Sequence, residues 1–252
     1  MATFKDLFIE DDKIKLPIGV EIDGTTYDTV TISEITGYAE EAMGSKAIGN
    51  NWGKMITALL KATIVSVEGY TGDLLRFIKG LSIGERDILF LAVRYVTYGN
   101  VIEGESKCRN CGKEVNYTID LDELELQHEG ARSVTRTFEL PSGLKIRKPD
   151  GTVKVLRKGT IRNATGDDQE HTYSLLEKNP ALWKTAMLQR IVVDIEGEEF
   201  TTIHSKSLSK KDRDYLMVLG NEYEQAPDSD TLVCPHCGEV TEVPVLNPGF
   251  FR

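Results

Sequence analysis

The chain has 252 residues, of which 40% are hydrophobic and 8% aromatic. This composition excludes a wholly disordered protein and predicts one or two domains with a buried core. The formal net charge is −10, from 30 Lys and Arg against 40 Asp and Glu, and this balance argues against a protein whose main task is to hold a nucleic-acid backbone.

The sequence also predicts a protein without a membrane span. No apolar run approaches the roughly 20 residues that cross a bilayer as a helix. The first residues, Met1-Ala-Thr-Phe-Lys-Asp6, contain no apolar signal region, so we expect a soluble protein made in the cytoplasm.

The first half of the chain predicts a β-hairpin, a series of helices and a second hairpin. In chain order the elements are strands at 16–22 and 25–32, helices at 37–43, 55–67 and 73–79, and a longer helix from 83 to about 97. Asp23-Gly24 is a dipeptide typical of tight hairpin turns. Ser82 and Glu85 have the spacing of a capping box and start the longer helix.

The second half predicts the same order of elements. Strands at 140–146 and 152–156 flank Asp150-Gly151, helices follow at 182–195 and 209–222, and a hairpin at 232–245 closes the unit. The chain is therefore predicted to be α+β.

Four cysteines form two CxxCG motifs, Cys108 with Cys111 and Cys234 with Cys237. In a reducing compartment such pairs predict metal ligands before disulfides. Two CxxC turns supply the four thiolates of a closed tetrahedral site, which favours Zn²⁺. A four-cysteine iron site or iron–sulfur cluster has the same ligands and stays open. His236 lies inside the second motif and is interpreted as a turn residue.

An internal duplication explains the offset of 126 residues between the two motifs, 234 − 108. Residues 57–69 match residues 185–197 at six of thirteen positions, with an offset of 128. Residues 81–87 match 208–214, and Leu16-Pro-Ile-Gly19 matches Leu140-Pro-Ser-Gly143. The same features in the same order indicate a tandem duplication.

The duplication predicts the domain organisation. Residues 1–126 form the first repeat, 127–137 the linker, and 138–252 the second repeat, which ends in a Phe-Phe tail. A pseudo-twofold arrangement brings one CxxC turn of each repeat to the same ion, so that the metal joins the two halves.

A pair of acidic-basic motifs recurs in both halves, Glu85-Arg86-Asp87 and Asp212-Arg213-Asp214. We interpret them as first turns of helices with favourable acidic residues. In the alternative interpretation, Arg86 and Arg213 reach carboxylates across the interface between the repeats.

Two further groups of residues are candidates for partner binding. A basic cluster on the second hairpin could form one stripe facing an acidic protein surface. At the C-terminus, two adjacent aromatic residues and a cation are candidates for a partner anchor. The basic candidates are Lys145, Arg147, Lys148, Arg157 and Lys158, with Lys154 and Arg162 nearby, and the terminal candidates are Phe250, Phe251 and Arg252.

The sequence offers no motif for catalysis. It has no phosphate-binding glycine loop, no HExxH and no GxSxG. A closed four-thiolate site leaves no open coordination position for a substrate or an activated water. We therefore predict neither enzymatic activity nor a small-molecule substrate.

The motifs Leu140-Pro-Ser-Gly143, Leu208-Ser-Lys-Lys-Asp-Arg-Asp214 and Cys234-Pro-His-Cys-Gly238, together with Phe250-Phe251, resemble the baseplate-hub and tail-assembly family of contractile-tailed, T4-type bacteriophages. The resemblance runs over most of the chain, more clearly from about residue 80. It implies a structural or assembly role in the virion tail, in contact with hub, spike and wedge proteins. The relatives vary in their cysteines, so the metal depends on this sequence alone.

Two other hypotheses remain at this stage. One is a tail-assembly chaperone that is absent from the finished virion. The other is a zinc-ribbon regulator that binds nucleic acid, which the CxxCG pairs favour and the net charge of −10 disfavours.

Overall fold

The computed structural model describes residues 3–126, 135–147, 150–221 and 229–246. Within these ranges the chain forms eight α-helices and four small antiparallel β-sheets. The predicted mixture of helices and strands is therefore confirmed.

The first sheet is built on the predicted hairpin. A 3₁₀ turn at Lys5–Leu7 precedes it, and its strands in spatial order are β1 (Phe8–Glu10), β2 (Lys13–Ile22), β3 (Thr25–Ile32) and β4 (Ile64–Val67). Asp23 and Gly24 have φ angles of 52° and 82°. Two positive φ angles in succession are typical of the type I′ turn that matches the twist of a hairpin.

Four helices and a second hairpin complete the first half. They are α1 (Gly37–Met43), α2 (Trp52–Thr63), α3 (Leu74–Gly80), α4 (Ile83–Tyr98), β5 (Val101–Lys107) and β6 (Glu114–Asp120). The Ser82 hydroxyl accepts a hydrogen bond from the Glu85 N–H at 3.2 Å, so α4 begins where the capping box predicts.

The second half repeats this order with small additions. Its elements are β7 (Thr135–Arg147), β8 (Val153–Arg162), α5 (Gly166–Lys178), α6 (Pro180–Ile191), β9 (Val192–Ile195), β10 (Glu198–Glu199), α7 (Thr202–Ser207), α8 (Lys210–Asn221), β11 (Ser229–Val233) and β12 (Val240–Pro244). Its four-stranded sheet has the order β10-β9-β8-β7. Helix α5 was not predicted from the sequence.

Two predicted helices are too long in the same way. The helix predicted at 55–67 ends at Thr63, and the helix predicted at 182–195 ends at Ile191. A four-residue strand follows each of them directly, β4 or β9. Runs rich in β-branched residues prefer extended backbone, but their apolar residues also fit helical spacing, so the hydrophobic pattern does not reveal the change.

Each half has its own hydrophobic core, but the C-terminal hairpin packs on the first one. Val243 of β12 and Val245, which are 2% and 0% exposed, belong to the same buried cluster as Leu59 and Phe90 of the first half. Within the described residues, the second core contains side chains from β7 to α8 and none from either CxxC hairpin. The chain therefore crosses back from the second half to the first.

Helix α5 packs against α2, α3 and α4 and forms the main contact between the halves. The Asn51 side-chain amide donates to the Glu170 carbonyl at 2.9 Å, and the Thr57 hydroxyl donates to the Glu170 carboxylate. At the start of α5, the Gly166 N–H donates to the Leu81 carbonyl at 2.9 Å. These bonds fix the N-terminal part of α5 against the first half.

Candidate metal centre

The four cysteines lie in the turns of the two small hairpins, β5–β6 and β11–β12. In the first turn the Cys108 N–H donates to the Lys113 carbonyl and the Gly112 N–H to the Cys108 carbonyl, both at 2.9 Å. The second turn repeats the pattern, from Cys234 to Glu239 at 2.8 Å and from Gly238 to Cys234 at 2.9 Å. Identical spacing thus gives identical local structure in the two halves.

Glycine follows each CxxC pair for a conformational reason. Gly112 and Gly238 have φ angles of 70° and 74°, in the left-handed region that residues with a Cβ rarely adopt. This backbone turns the chain back toward the return strand, so that both thiols of each pair lie on the same side of the turn.

The four thiols converge although 123 or more residues separate the cysteines of one motif from those of the other. Cys108 Sγ lies 3.6 Å from Cys237 Sγ, Cys111 Sγ lies 3.8 Å from Cys234 Sγ, and all four sulfur atoms are within 4.8 Å of one another. A tetrahedral site with metal–sulfur bonds of about 2.3 Å has sulfur–sulfur edges of about 3.8 Å. The arrangement fits a four-thiolate metal site, and all four cysteines are free thiols.

The two inner sulfurs are shielded from solvent and the two outer ones are not. Cys108 and Cys234 are buried against Val115 and Leu232, whereas Cys111 and Cys237 are exposed. The Asn110 amide nitrogen lies 3.8 Å from Cys237 Sγ. His236 is exposed in the second turn, and within the described residues the cluster of candidate ligands consists of the four cysteines alone.

The electrostatics of the cluster favour a bound cation. The backbone N–H groups of Cys111 and Asn110 lower the pKa of the Cys108 thiol to about 6. At Cys237 the Glu239 N–H lowers the pKa, but desolvation and the neighbouring thiols outweigh it and raise the pKa to about 11. The first thiolate thus forms readily, and its negative charge disfavours ionisation of the neighbouring thiols. A bound metal dication compensates the negative charges and so allows all four thiols to lose their protons.

Two cations of the predicted basic cluster on the hairpin β7–β8 are paired with carboxylates of the same chain. Lys154 pairs with Glu198 at 2.7 Å, and Arg162 pairs with the buried Asp168 at 2.6 Å. These two cations are therefore neutralised within the chain, and the partner-binding stripe of the other basic residues stays a prediction.

The remaining partner-binding candidates differ in their surroundings. Lys158 lies 3.9 Å from the Glu139 carboxylate, and the Arg157 guanidinium donates to the carbonyls of Leu140 and Pro141. Lys145 and Arg147 are exposed. The other candidates, Lys148, Phe250, Phe251 and Arg252, lie outside the described residues.

The recurring arginines bind within their own halves. Arg86 is fully buried and donates to the Gly53 carbonyl at 2.6 Å and to the Thr57 hydroxyl at 2.9 Å. Arg213 donates to the Ala181 carbonyl and the Thr185 hydroxyl at 2.7 and 2.9 Å. These bonds tie α4 to α2 and α8 to α6. Across the interface, Arg86 interacts electrostatically with the Glu170 carboxylate of α5.

The acidic residues of the same motifs bind the hairpins. Glu85 accepts from the N–H groups of Ile18 and Gly19, and Asp212 accepts from the Ser142 N–H at 2.8 Å. From the sequence, these acids are expected only as favourable charges in the first turn of a helix. The signal that this expectation missed is that each Leu-Pro-x-Gly segment forms a bulge whose backbone N–H groups need acceptors.

Comparison with known proteins places the chain in a family. The sequence model described as T4 bacteriophage base plate protein matches residues 11–247, nearly the whole chain. The chain belongs to the T4 bacteriophage base plate protein family. The resemblance inferred from the short motifs is thereby confirmed, and a base plate component is supported.

The other two comparisons identify no relative of this base plate protein. The search of curated proteins finds no significant match, and neither does the search of solved structures. Among the helices of the described ranges, none combines the length and the hydrophobicity of a membrane-spanning helix.

Proposed function

We propose that this chain is a non-enzymatic structural component of the contractile-tail base plate, in the hub or associated with it. The family match over residues 11–247 carries the proposal. The chain is expected to reside in the virion tail after synthesis in the host cytoplasm, and to contact other tail proteins of the hub, spike or wedge. A small-molecule substrate has no place in this role.

The four cysteines are proposed to bind one Zn²⁺ ion that holds the C-terminal hairpin onto the first half. Sulfur–sulfur distances of 3.6 and 3.8 Å support tetrahedral coordination. An iron ion has the same thiolate preference, and metal analysis distinguishes the two. Because β11–β12 packs against the first core, the metal would add its binding free energy to a contact between remote parts of the chain.

We further propose that the two halves arose by tandem duplication and are related by a pseudo-twofold axis, with repeats at 1–126 and 138–252 and a linker at 127–137. The repeated bonds support this. Arg86 donates to the Thr57 hydroxyl and to the carbonyl of Gly53, four residues before Thr57. Arg213 donates to the Thr185 hydroxyl and to the carbonyl of Ala181, four residues before Thr185.

The partner contacts proposed from the sequence are the basic residues and the chain end. Lys145, Arg147 and Arg157, with Lys148 and Lys158, would face an acidic protein surface, while Phe250, Phe251 and Arg252 would anchor a neighbouring tail protein. Nucleic acid is a less suitable partner because the net charge is −10.

Quantitative mass spectrometry of gradient-purified virions tests the proposed role. We expect the chain in intact particles at a fixed ratio to other base plate proteins. If the chain occurs in infected cells and assembly intermediates but not in virions, it is an assembly chaperone. A mobility shift with DNA or RNA that weakens steeply with salt would instead identify a nucleic-acid-binding regulator.

A further inference from the structure

The outer face of the β7–β8 hairpin combines exposed cations with exposed valines. Lys145 lies directly opposite Val155, and Arg147 lies directly opposite Val153. Residues opposite each other in an antiparallel pair point to the same side of the sheet. Val153 and Val155 are 54% and 41% exposed, and both cations are exposed. We call Lys145, Arg147, Val153, Val155 and Arg157 the basic face.

Arg157 extends the basic face along β8. A Cβ atom at Gly143 would lie 2.7 Å from Val155 Cγ1 and 3.2 Å from Arg157 Cγ, so these two side chains lie side by side above the glycine. The Glu196 carboxylate accepts the Arg157 backbone N–H from the adjoining turn. Among the described residues, neither Lys145 nor Arg147 forms an ion pair, so the outer part of the face has uncompensated positive charge.

The outer face of the β5–β6 hairpin has the opposite charge. Glu103 lies opposite Thr118, and Glu105 lies opposite Asn116. These side chains are exposed, and within the described part of the chain neither glutamate forms a salt bridge. Val101, which is 40% exposed, lies two residues before Glu103 on the same strand face. We call Val101, Glu103, Glu105, Asn116 and Thr118 the acidic face.

The two faces match in size as well as in charge. At about 3.4 Å per residue, the segment from Val101 to Glu105 and the segment from Val153 to Arg157 are each roughly 14 Å long. Each face is a two-stranded ribbon with exposed valine beside its charges. A face that served only to keep the chain soluble would not require valines next to unpaired charges of one sign, whereas an interface uses both.

We propose that the acidic face of one copy of this chain docks on the basic face of a second copy. Charge complementarity identifies a second copy as the occupant, because Lys145 and Arg147 can pair with Glu103 and Glu105. The copies repel each other at long range through the net charge of −10, but salt screens that repulsion beyond about 8 Å at physiological ionic strength. Attraction then depends on direct apposition of the two faces.

The contact joins two different surfaces and is therefore heterologous. Such contacts close into a ring when the rotation per copy allows it and otherwise continue as a filament. This contact names a second copy of the chain as one partner in the proposed structural role. The location of the contact in the base plate rests on that proposed role, whereas the contact itself does not.

Sedimentation velocity on the purified full-length chain tests the contact. The wild type is measured over a wide concentration range at about 50 mM and about 500 mM salt. The basic-face variant carries Lys145→Glu and Arg147→Glu, and the acidic-face variant carries Glu103→Lys and Glu105→Lys. We expect concentration-dependent association of the wild type at low salt, and association at least about tenfold weaker in each variant.

The mixture of the two variants distinguishes this contact from a general charge effect. Each variant alone carries two faces of the same charge and should associate only weakly, whereas an equimolar mixture brings opposite charges together at both contacts and should associate again. Matched controls change the same charges elsewhere, with Lys46→Glu and Lys61→Glu or with Glu40→Lys and Glu41→Lys, all at exposed positions. These controls should associate like the wild type, and circular dichroism melts should show that every variant is folded.

Several results would overturn the contact. The wild type could stay monomeric at low salt, or the folded face variants could associate as strongly as the wild type. The third such result is that the basic face binds only an acidic partner protein or nucleic acid. A monomeric chain that is present in virions contradicts the self-association alone, whereas absence from virions contradicts the proposed structural role.

Discussion

The buried carboxylate of Glu85 accepts a hydrogen bond of 2.6 Å from the backbone N–H of Gly19, 66 residues earlier in the chain. The same oxygen accepts the Ile18 N–H at 2.8 Å. Gly19 has a φ angle of 75°, and a Cβ atom there would lie 2.5 Å from the Tyr27 carbonyl oxygen. The bulge in β2 therefore requires glycine, and its free N–H groups join the first sheet to the start of α4.

We expect Glu85 to make the stability of the chain depend on pH. Burial raises the pKa of Glu85 from 4.5 to about 7, although hydrogen bonds from Gly19 and Ile18 oppose the shift. The folded state thus binds a proton more strongly than the unfolded state does. The contribution of the protonated Glu85 to the free energy of unfolding is complete below pH about 4.5 and is lost as the pH rises through about 7.

Glu85→Gln keeps the shape of the side chain without its charge. The free energy of unfolding of this variant, relative to the wild type, should increase between pH 5 and pH 8, by up to about 3 kcal/mol. Urea unfolding at the two pH values measures the difference. Glu40→Gln, at an exposed position, is the control for loss of a carboxylate, and an equal pH effect in both variants would contradict the assignment to Glu85.

The two recurring arginines should differ in their contribution to stability. Arg86 is 0% exposed and donates to two carbonyls and a hydroxyl, whereas Arg213 is half-buried. Arg86→Met leaves buried acceptors without a donor and should lower the free energy of unfolding by about 3–5 kcal/mol. Arg213→Met should lower it by about 1 kcal/mol. Equal losses in urea unfolding would show that burial does not determine the difference.

The sequence predicts the local parts of this fold better than the contacts between them. The CxxCG turns and the Asp23-Gly24 hairpin depend on adjacent residues, and both have the predicted form. The packing of Val243 and Val245 on the first core depends on contacts between residues more than 100 positions apart in the sequence. A local sequence pattern carries no information about such contacts. The pairing of Arg162 with Asp168 was missed because the cation was assigned by strand alternation alone.

Two glycines at the starts of helices should respond differently to substitution by alanine. Gly37 and Gly166 each begin a helix after a threonine. A Cβ atom at Gly166 would lie 2.1 Å from Arg86 Nη1, whereas a Cβ atom at Gly37 meets nothing within 4 Å. Gly166→Ala should destabilise the chain by about 1–3 kcal/mol, because Arg86 is held in place by its own bonds.

Gly37→Ala is the matched control. It should leave the free energy of unfolding unchanged or raise it by up to about 1 kcal/mol, since alanine restricts the unfolded chain. Both values are measured by urea unfolding. If Gly166→Ala were harmless, the close packing of α5 against the buried guanidinium would be wrong.

Removal of residues 249–252 tests the proposed anchor at the C-terminus. We expect the truncated chain to fold and to keep its melting temperature within a few degrees. Its incorporation into particles should fall when it complements a phage that lacks the wild-type gene. Removal of Ala2 from the same gene, with Met1 kept, controls for truncation as such. Insolubility of the C-terminal truncation would instead show that Phe250 and Phe251 belong to the folded core.

Serine substitutions in the two CxxC motifs should have equal consequences. Cys108→Ser and Cys234→Ser each remove one buried ligand of the same four-sulfur cluster, so both should abolish binding of one metal ion per chain. Both should also lower the melting temperature to a similar extent, because the β11–β12 hairpin loses its link to β5–β6. Elemental analysis of chelator-free protein and calorimetry provide the two readouts.

His236→Ala provides the control within the second turn. His236 is exposed beside the cluster and is not proposed as a ligand, so this variant should keep one metal per chain and the wild-type melting temperature. One zinc per chain in a colourless sample supports the shared site, and absorbing protein with iron assigns the other metal. If only one of the two serine variants lost the metal, the four cysteines would not share an ion, and the contact between the hairpins would depend on packing alone.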